Sequence, residues 1–352
     1  MPEDINALLE PIRAKHGLAA LTAAAARDGK VVAIGAVGMR KSGASVPVTT
    51  RDIWHIGSCT KSMTATLAAM LVDQHKLGWR TTVGEVFPEW REAMSPQWRT
   101  VTLEQLLTHR AGAPHDAPPD LWARAWKHIG TPTQQRLAFV YGLVTRAPET
   151  SPGTKFVYSN QGYSIAGAMM ERVTGVPWER LMRTMLFDPL AIQSAGFGAP
   201  GTPGKIDEPW GHVFENGKLK PIPPGPDADN PAAIGPGGVV HLSVADFARY
   251  AQWHARGILN GRRLLSDASF SKVHTPASGG DYAMGWGVYQ RDWSGGVTFT
   301  HNGSNTMWFA VMWVSPAKDA AFVAVTNSAG DGAEKACDEA VFALIQRVLS
   351  SR

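Results

Sequence analysis

Trp54-His55-Ile56-Gly57-Ser58-Cys59-Thr60-Lys61 is followed by Ser62 to Val72 without a single charged residue. A serine at the mouth of an apolar helix, with a lysine three residues further in, suits nucleophilic catalysis. At i and i+3 the two side chains share a helix face, about 5 Å apart along the axis. They can therefore touch. A serine hydroxyl is a weak nucleophile until a neighbouring base takes its proton. Lys61 becomes such a base if burial lowers its pKa, and Met63, Leu67, Met70 and Leu71 promise apolar surroundings. The helix N-terminus adds unpaired N–H groups and a favourable dipole for a developing oxyanion. Taken alone, the pair equally fits an ordinary N-cap serine followed by a solvated lysine.

Ser-x-x-Lys occurs three times, at Ser58, Ser269 and Ser315. Ser315 runs straight into Pro316, and Ser269 sits in a short polar-flanked segment. Neither opens a long apolar helix, so both are expected to be bystanders.

At 352 residues, with 44% hydrophobic and 18% charged residues, the chain reads as globular and large enough for two subdomains. The net charge of +4 comes from scattered Lys and Arg, so no nucleic-acid partner is inferred. Two distant cysteines, Cys59 and Cys337, make no disulfide framework, and Cys59 reads as a small buried thiol. The run from Ser62 to Val72 is too short for a membrane span. Met1-Pro2-Glu3-Asp4 shows no signal-peptide pattern, which points to the cytoplasm, or to the periplasm or exterior if an export signal has been removed.

Outward from the central stretch, Ile5, Leu8, Leu9 and Ile12 predict an N-terminal helix, and Asp28-Gly29 predicts a hairpin joining strands near 18–26 and 31–39. The Ser58 helix is expected to reach about His75. From Trp79 to Pro236 helical patches alternate with Pro/Gly-rich loops: 103–109, 120–128, 132–144, 162–173 and 178–186. A small hairpin is expected at 214–219, and Pro221 to Pro236 is a long loop of the kind that lines sites. Ser243 caps a helix to Arg256, then strands follow at 283–290, 297–301, 307–314 and 320–326 before a helix at 333–349. The fold class is therefore α+β: an antiparallel sheet of N- and C-terminal strands flanked by helices, with an inserted mostly helical subdomain. Residues 1–80 and 241–352 form the sheet subdomain, 81–240 the helical one, and the active site is expected at their junction.

Two more constellations stand out. Tyr158-Ser159-Asn160 is the only Tyr-x-Asn, placed before the helix containing Gly162. Tyr158 can serve as base or proton relay if positive neighbours lower its pKa, and Asn160 can bind a substrate carbonyl or orient Lys61. A core tyrosine and a helix cap also fit. His301-Asn302-Gly303-Ser304 closes a predicted strand, where His301 titrates near neutrality, Gly303 permits close approach and the Ser304 N–H offers a second oxyanion donor.

In this order, Ser58-x-x-Lys61, Tyr158-x-Asn160 and His301-x-Gly303 resemble the three catalytic elements of the serine β-lactamase-like superfamily, especially its class C β-lactamase and family VIII carboxylesterase branch. Leu106-Leu107-Thr108-His109-Arg110-Ala111-Gly112, Phe187-Asp188-Pro189-Leu190 and Gly237-Gly238 look like that branch's connecting signatures. The resemblance implies Ser58 as acylated nucleophile, Lys61 and Tyr158 sharing its deprotonation, and Asn160, His301, Gly303 and Ser304 meeting the substrate, without metal or cofactor. His301 stands where β-lactamases of this branch usually carry lysine, a permanent cation for the β-lactam carboxylate. The expected partner is therefore a small-molecule ester, with amide, D-amino-acid peptide or β-lactam substrates, or non-turnover penicillin binding, as alternatives. Trp122, Trp126, Trp286 and Trp308 are aromatic residues that can border its pocket. The oligomeric state is not readable.

Overall fold

The computed structural model describes residues 1–259 and 261–350. The Asp28-Gly29 turn forms as expected: both residues take positive φ, 51° and 78°, the geometry that matches strand twist in a two-residue hairpin. It joins β2 (Ala20–Arg27) to β3 (Lys30–Gly38), while β1 (Glu3–Asp4) adds to β3 in parallel, the one departure from the antiparallel expectation within this sheet. β4 (Gly287–Arg291), β5 (Gly296–Ser304), β6 (Phe309–Ser315) and β7 (Ala320–Thr326) complete seven strands in the order β1-β3-β2-β7-β6-β5-β4. N- and C-terminal strands thus meet at β2 and β7, with Ala320 pairing Arg27 and Thr326 pairing Leu21.

Why five of the eight residues of β2 are alanine follows from its position. Leu21, Ala23 and Ala25 face one core, with helix α1 (Asn6–Lys15) and the C-terminal helix (Asp331–Ser350). Ala20, Ala24 and Ala26 face the other core, which continues through the helix Val244–Arg256 and the central helix α2 (Thr60–Asp73). Both faces of a strand covered by helices need small or apolar residues at every position rather than at alternate ones.

Between residues 81 and 240 the regular structure is mainly helical, and caps account for several helix boundaries. Thr131 accepts from the Gln134 N–H in a capping box with Pro132 at the first helical position, so the helix spans Pro132–Val144 as the sequence reads. The 103–109 patch is shorter, Leu103–Leu107, because His109 leaves the helix at φ 58°. The 178–186 patch is a single α turn followed by a π-helical stretch, Met182–Phe187. The predicted small hairpin is present at Gly211–Glu215 and Lys218–Ile222. A three-stranded sheet joins Ile53–His55, Val240–Ser243 and Gly196–Phe197. No described helix is long and apolar enough to cross a membrane.

Candidate active site

From Trp54 to Leu71 every residue is buried except Ser58. The strand Ile53–His55 is clamped by Val240–Ser243, and the Ile56 N–H continues that pairing by donating to the Val240 carbonyl at 3.0 Å. Gly57 then takes φ +50° and starts a 3-10 turn, Gly57–Cys59, that runs into α2. Helix α2 does not start at Ser58 and stops at Asp73 rather than near His75. There His75 adopts φ 57° while the Lys76 and Leu77 N–H groups close on the Leu71 carbonyl.

Two glycines bring the turn that carries Ser58 against the end of β5. A Cβ at Gly57 would lie 2.4 Å from Ser304 N, and one at Gly303 would lie 2.5 Å from Ser58 N. Only residues without a Cβ allow this backbone-to-backbone approach. It places the Ser58 and Ser304 N–H groups in one neighbourhood beside the Ser58 hydroxyl.

Lys61 is fully buried, with Nζ 3.0 Å from Ser58 Oγ, 2.5 Å from Asn160 Oδ1 and 2.7 Å from the Gly237 carbonyl. Its amine also stands 4.7 Å from the Tyr158 ring centroid. Burial drives its pKa from 10.5 down to about 7, with only the Cys59 sulfur pulling the other way. A neutral amine has two N–H donors and one lone pair. The Gly237 carbonyl and Asn160 Oδ1 can only accept, so they take both donors, and the lone pair is left for the Ser58 O–H.

Tyr158 precedes the helix Asn160–Thr174, which Ser159 caps by accepting the Gly162 N–H at 3.2 Å. The expectation of a lowered phenol pKa is not met: burial pushes it upward, and its interaction with the Ser58 hydroxyl only opposes this. The phenol is therefore a proton donor at neutral pH. His109 backs it, with rings 4.4 Å apart and its Nδ1 accepting the Ser159 N–H at 3.1 Å.

His301 also departs from expectation. Burial, then the neighbouring Lys61, lower its pKa to about 3, so it does not exchange protons near neutrality. Its Nδ1 donates to the Asn302 carbonyl at 2.5 Å, which leaves Nε2 to accept from the Tyr282 hydroxyl at 3.0 Å. Both ring nitrogens are engaged.

Cys59 is a free buried thiol whose Sγ meets the His301 carbonyl at 3.4 Å, and burial raises its pKa. The other two serine–lysine pairs are occupied elsewhere. Ser269 Oγ donates to Asp73 while Lys272 pairs with Glu104, and Ser315 caps the turn Pro316–Lys318. Trp286 and Trp308 do not border a pocket but are core, 0% and 1% exposed. Trp122 lines a cavity of about 310 Å³ with Asn160 and His115, and Trp126 packs edge-on against it. A second cavity, about 290 Å³, opens beside Tyr158, Tyr282 and His301 and reaches Glu334 and Asp338. A more voluminous cavity, about 940 Å³, lies at the far end of α2 around Asp73 and Trp79 and touches no site residue.

Sequence reasoning missed the Gly237 carbonyl and Tyr282. A carbonyl carries no side-chain signature, and Tyr282 stands outside any motif.

The model of the Beta-lactamase family matches residues 5–345. "Penicillin-binding protein 4" of Amycolatopsis lactamdurans is 29% identical over 90% of this chain and 83% of its own length. "Lovastatin esterase" of Penicillium rubens is 27% identical over 66% of this chain and 56% of its own. Among solved structures, the octameric penicillin-binding protein homologue from Pyrococcus abyssi superposes with TM-score 0.78 at 24% identity, covering 98% of this chain and 76% of that one. With a match along nearly its whole length, the chain belongs to the Beta-lactamase family of serine hydrolases.

Proposed function

We propose that the protein is a serine hydrolase that works through an acyl-enzyme, with carboxylic esters as its preferred substrates. The observation that carries this reading is the Lys61 amine, buried, titrating near 7 and 3.0 Å from Ser58 Oγ with both N–H donors spoken for. Lys61 takes the Ser58 proton as Oγ bonds to the carbonyl carbon, and the Ser58 and Ser304 N–H groups hold the oxyanion. As the C–O bond to the leaving group breaks, Tyr158 supplies the alkoxide with a proton and regains one from Lys61. Water then attacks the acyl-enzyme and the acid departs. Asn160 orients Lys61 and meets the substrate, while His301 and Gly303 border it. The site lies where residues 1–80 and 241–352, which carry Ser58, Lys61 and Ser304, meet residues 81–240, which carry Tyr158, Asn160 and Gly237.

Ester rather than β-lactam substrates follow from charge. His301 is neutral at pH 7, and the lining of the adjoining cavity includes Glu334 and Asp338 but neither Lys nor Arg, with Arg291 held against the Tyr289 and Trp313 rings, so a substrate carboxylate finds no cation in that lining. The same two carboxylates favour, as a second reading, amides of D-amino acids with a free amine. The test is turnover of p-nitrophenyl butyrate, a chromogenic cephalosporin and D-alanyl p-nitroanilide, with Ser58→Ala as control. Ester turnover lost in Ser58→Ala is expected. A stable adduct without turnover would instead indicate a penicillin-binding role, and equal activity in Ser58→Ala would remove Ser58 from the chemistry.

A further inference from the structure

Behind the nucleophile turn lies a buried hydrogen-bond chain that takes no part in the proton transfers. His55 ends the strand Ile53–His55, and its Nδ1 accepts the Gly57 N–H at 3.1 Å. The ring proton is therefore on Nε2, which donates to Asp229 Oδ2 at 2.8 Å. The other carboxylate oxygen of Asp229 accepts from the Asn230 N–H at 2.7 Å and from Asn305 Nδ2 at 3.1 Å. Asn305 Oδ1 in turn accepts the Met307 N–H at 3.2 Å. His55, Asp229 and Asn305 are 0%, 3% and 4% exposed.

The connectivity of this chain is informative. Gly57 directly precedes Ser58, and Asn305 directly follows Ser304. One carboxylate, from the segment between the 3-10 turns Pro226–Ala228 and Ala232–Ile234, thus ties together the two backbone turns whose N–H groups face the Ser58 hydroxyl. We propose that His55, Asp229 and Asn305 are positioning residues that fix the separation and direction of the Ser58 and Ser304 N–H groups. This rests on the assignment of those groups to the oxyanion. Such donors act only when both point at one atom from about 2.7–3.1 Å. The Gly57–Gly303 contact stops the turns approaching further, but contact alone does not stop them sliding or parting. Hydrogen bonds donated to a buried carboxylate do, because each is charge-assisted and shielded from solvent.

The experiment uses the full chain with Asp229→Asn and Asn305→Ala, beside wild type and Ser58→Ala. Burst titration with p-nitrophenyl butyrate counts acylatable sites, and kcat and KM are then expressed per titrated site. Affinity for an alkyl boronic acid, which forms a tetrahedral adduct on serine, reports the oxyanion arrangement directly. In Asp229→Asn, kcat per site should fall about 10- to 100-fold, up to the loss from misplacing a donor by about 1 Å and short of removing it outright. KM should change little and boronate affinity should weaken in proportion to kcat. Asn305→Ala removes one donor to the carboxylate and leaves the His55 link, so a smaller loss in the same direction is expected. It carries the test if Asp229→Asn does not fold. A lower melting temperature and fewer titratable sites, with kcat per site and boronate affinity unchanged, would mean ordinary structural support and overturn the proposal. Failure of the hydrolase reading looks different: Ser58→Ala would then match wild type.

Discussion

A base must be neutral before it can accept a proton, so the reaction should titrate with Lys61. For a neutral ester, kcat/KM is expected to rise with pH through an apparent pKa of about 7 and to fall about tenfold per unit below it. Lys61→Arg, whose guanidinium never becomes neutral, should lose about 10³-fold or more at every pH. A flat profile between pH 5.5 and 8.5 would rule out Lys61 as the titrating base. The same shift has a stability consequence whose sign is fixed. The folded value is about 7 and the ordinary one 10.5, so between them the unfolded chain holds more protons and wild type gains stability as pH rises. Relative to Lys61→Met, that gain should approach about 1.4 kcal/mol per pH unit, read by urea unfolding of both proteins from pH 7 to 10. Parallel curves would mean the lysine is not desolvated. At this scale the sequence was legible where partners share a helix turn, as Ser58 and Lys61 do. The Lys61 contacts to Asn160 and Gly237 span 99 and 176 residues, and the perturbation of Tyr158 and His301 comes from burial by distant segments, which no local spacing reveals.

Among the secondary elements, the end of β5 and the turn before α2 must keep their contact for the site to exist. A methyl on Gly303 would meet the Ile56 carbonyl at 2.2 Å and Ser58 N at 2.5 Å, both backbone atoms that no rotamer change can move. Gly303→Ala should therefore push strand and turn apart. Expected are a loss of at least about 100-fold in kcat, from displaced N–H donors, and a destabilisation of about 1–3 kcal/mol from overpacking. Crystal structures and ester kinetics of the variant check both. Full activity would show that the strand end yields without consequence. Helix α2 itself tolerates its polar residues because each is bonded: Ser62 Oγ donates to the Cys59 carbonyl and accepts from Tyr250, and Thr64 donates to the Pro236 carbonyl. Its uncharged run was readable as burial, but the turn that separates Ser58 from the helix proper was not. That turn depends on Gly57 packing against Ser304, a contact made across 247 positions of chain (304 − 57).

Across the whole molecule, long periodic segments and the Asp28-Gly29 turn carried enough local information to bring N- and C-terminal strands into one sheet. The two-residue β1 and the small sheet of Ile53–His55, Val240–Ser243 and Gly196–Phe197 are too short to show a period, and only tertiary pairing defines them. The same close packing that forms two cores around the sheet also encloses histidines, and this sets how the protein responds to acid. Burial lowers His241 and His274 from 6.5 to about 4 and His301 to about 3, and it lowers His254 and His109 as well. For the pair His254–His274 the reason is visible: His254 Nδ1 and His274 Nε2 are 3.0 Å apart, and His274 Nδ1 donates to the Phe270 carbonyl, so the chain of donors ends inside an apolar, aromatic shell. A lowered histidine stays neutral when folded but takes up a proton when unfolded. Stability is thus fully present above pH 6.5 and is lost as pH falls toward about 4, by about 1.4 kcal/mol per unit for each such histidine once well below 6.5. Carboxylates held low by partners, such as Asp73 and Glu339, act in the same direction but only nearer their ordinary values of 3.8 and 4.5. Glu208 and Asp338 are raised and oppose the trend. From pH 6.5 to 5 these five lowered histidines outnumber the raised carboxyls Glu208, Asp319 and Asp338, so the histidines set the sign of the net slope. Urea unfolding across that interval should give a midpoint that falls steeply with pH, with a slope exceeding that of one histidine. A slope near zero would mean that these rings accept protons in the folded state, and that their enclosure is looser than the packing around Trp253, Phe270 and Trp286 implies.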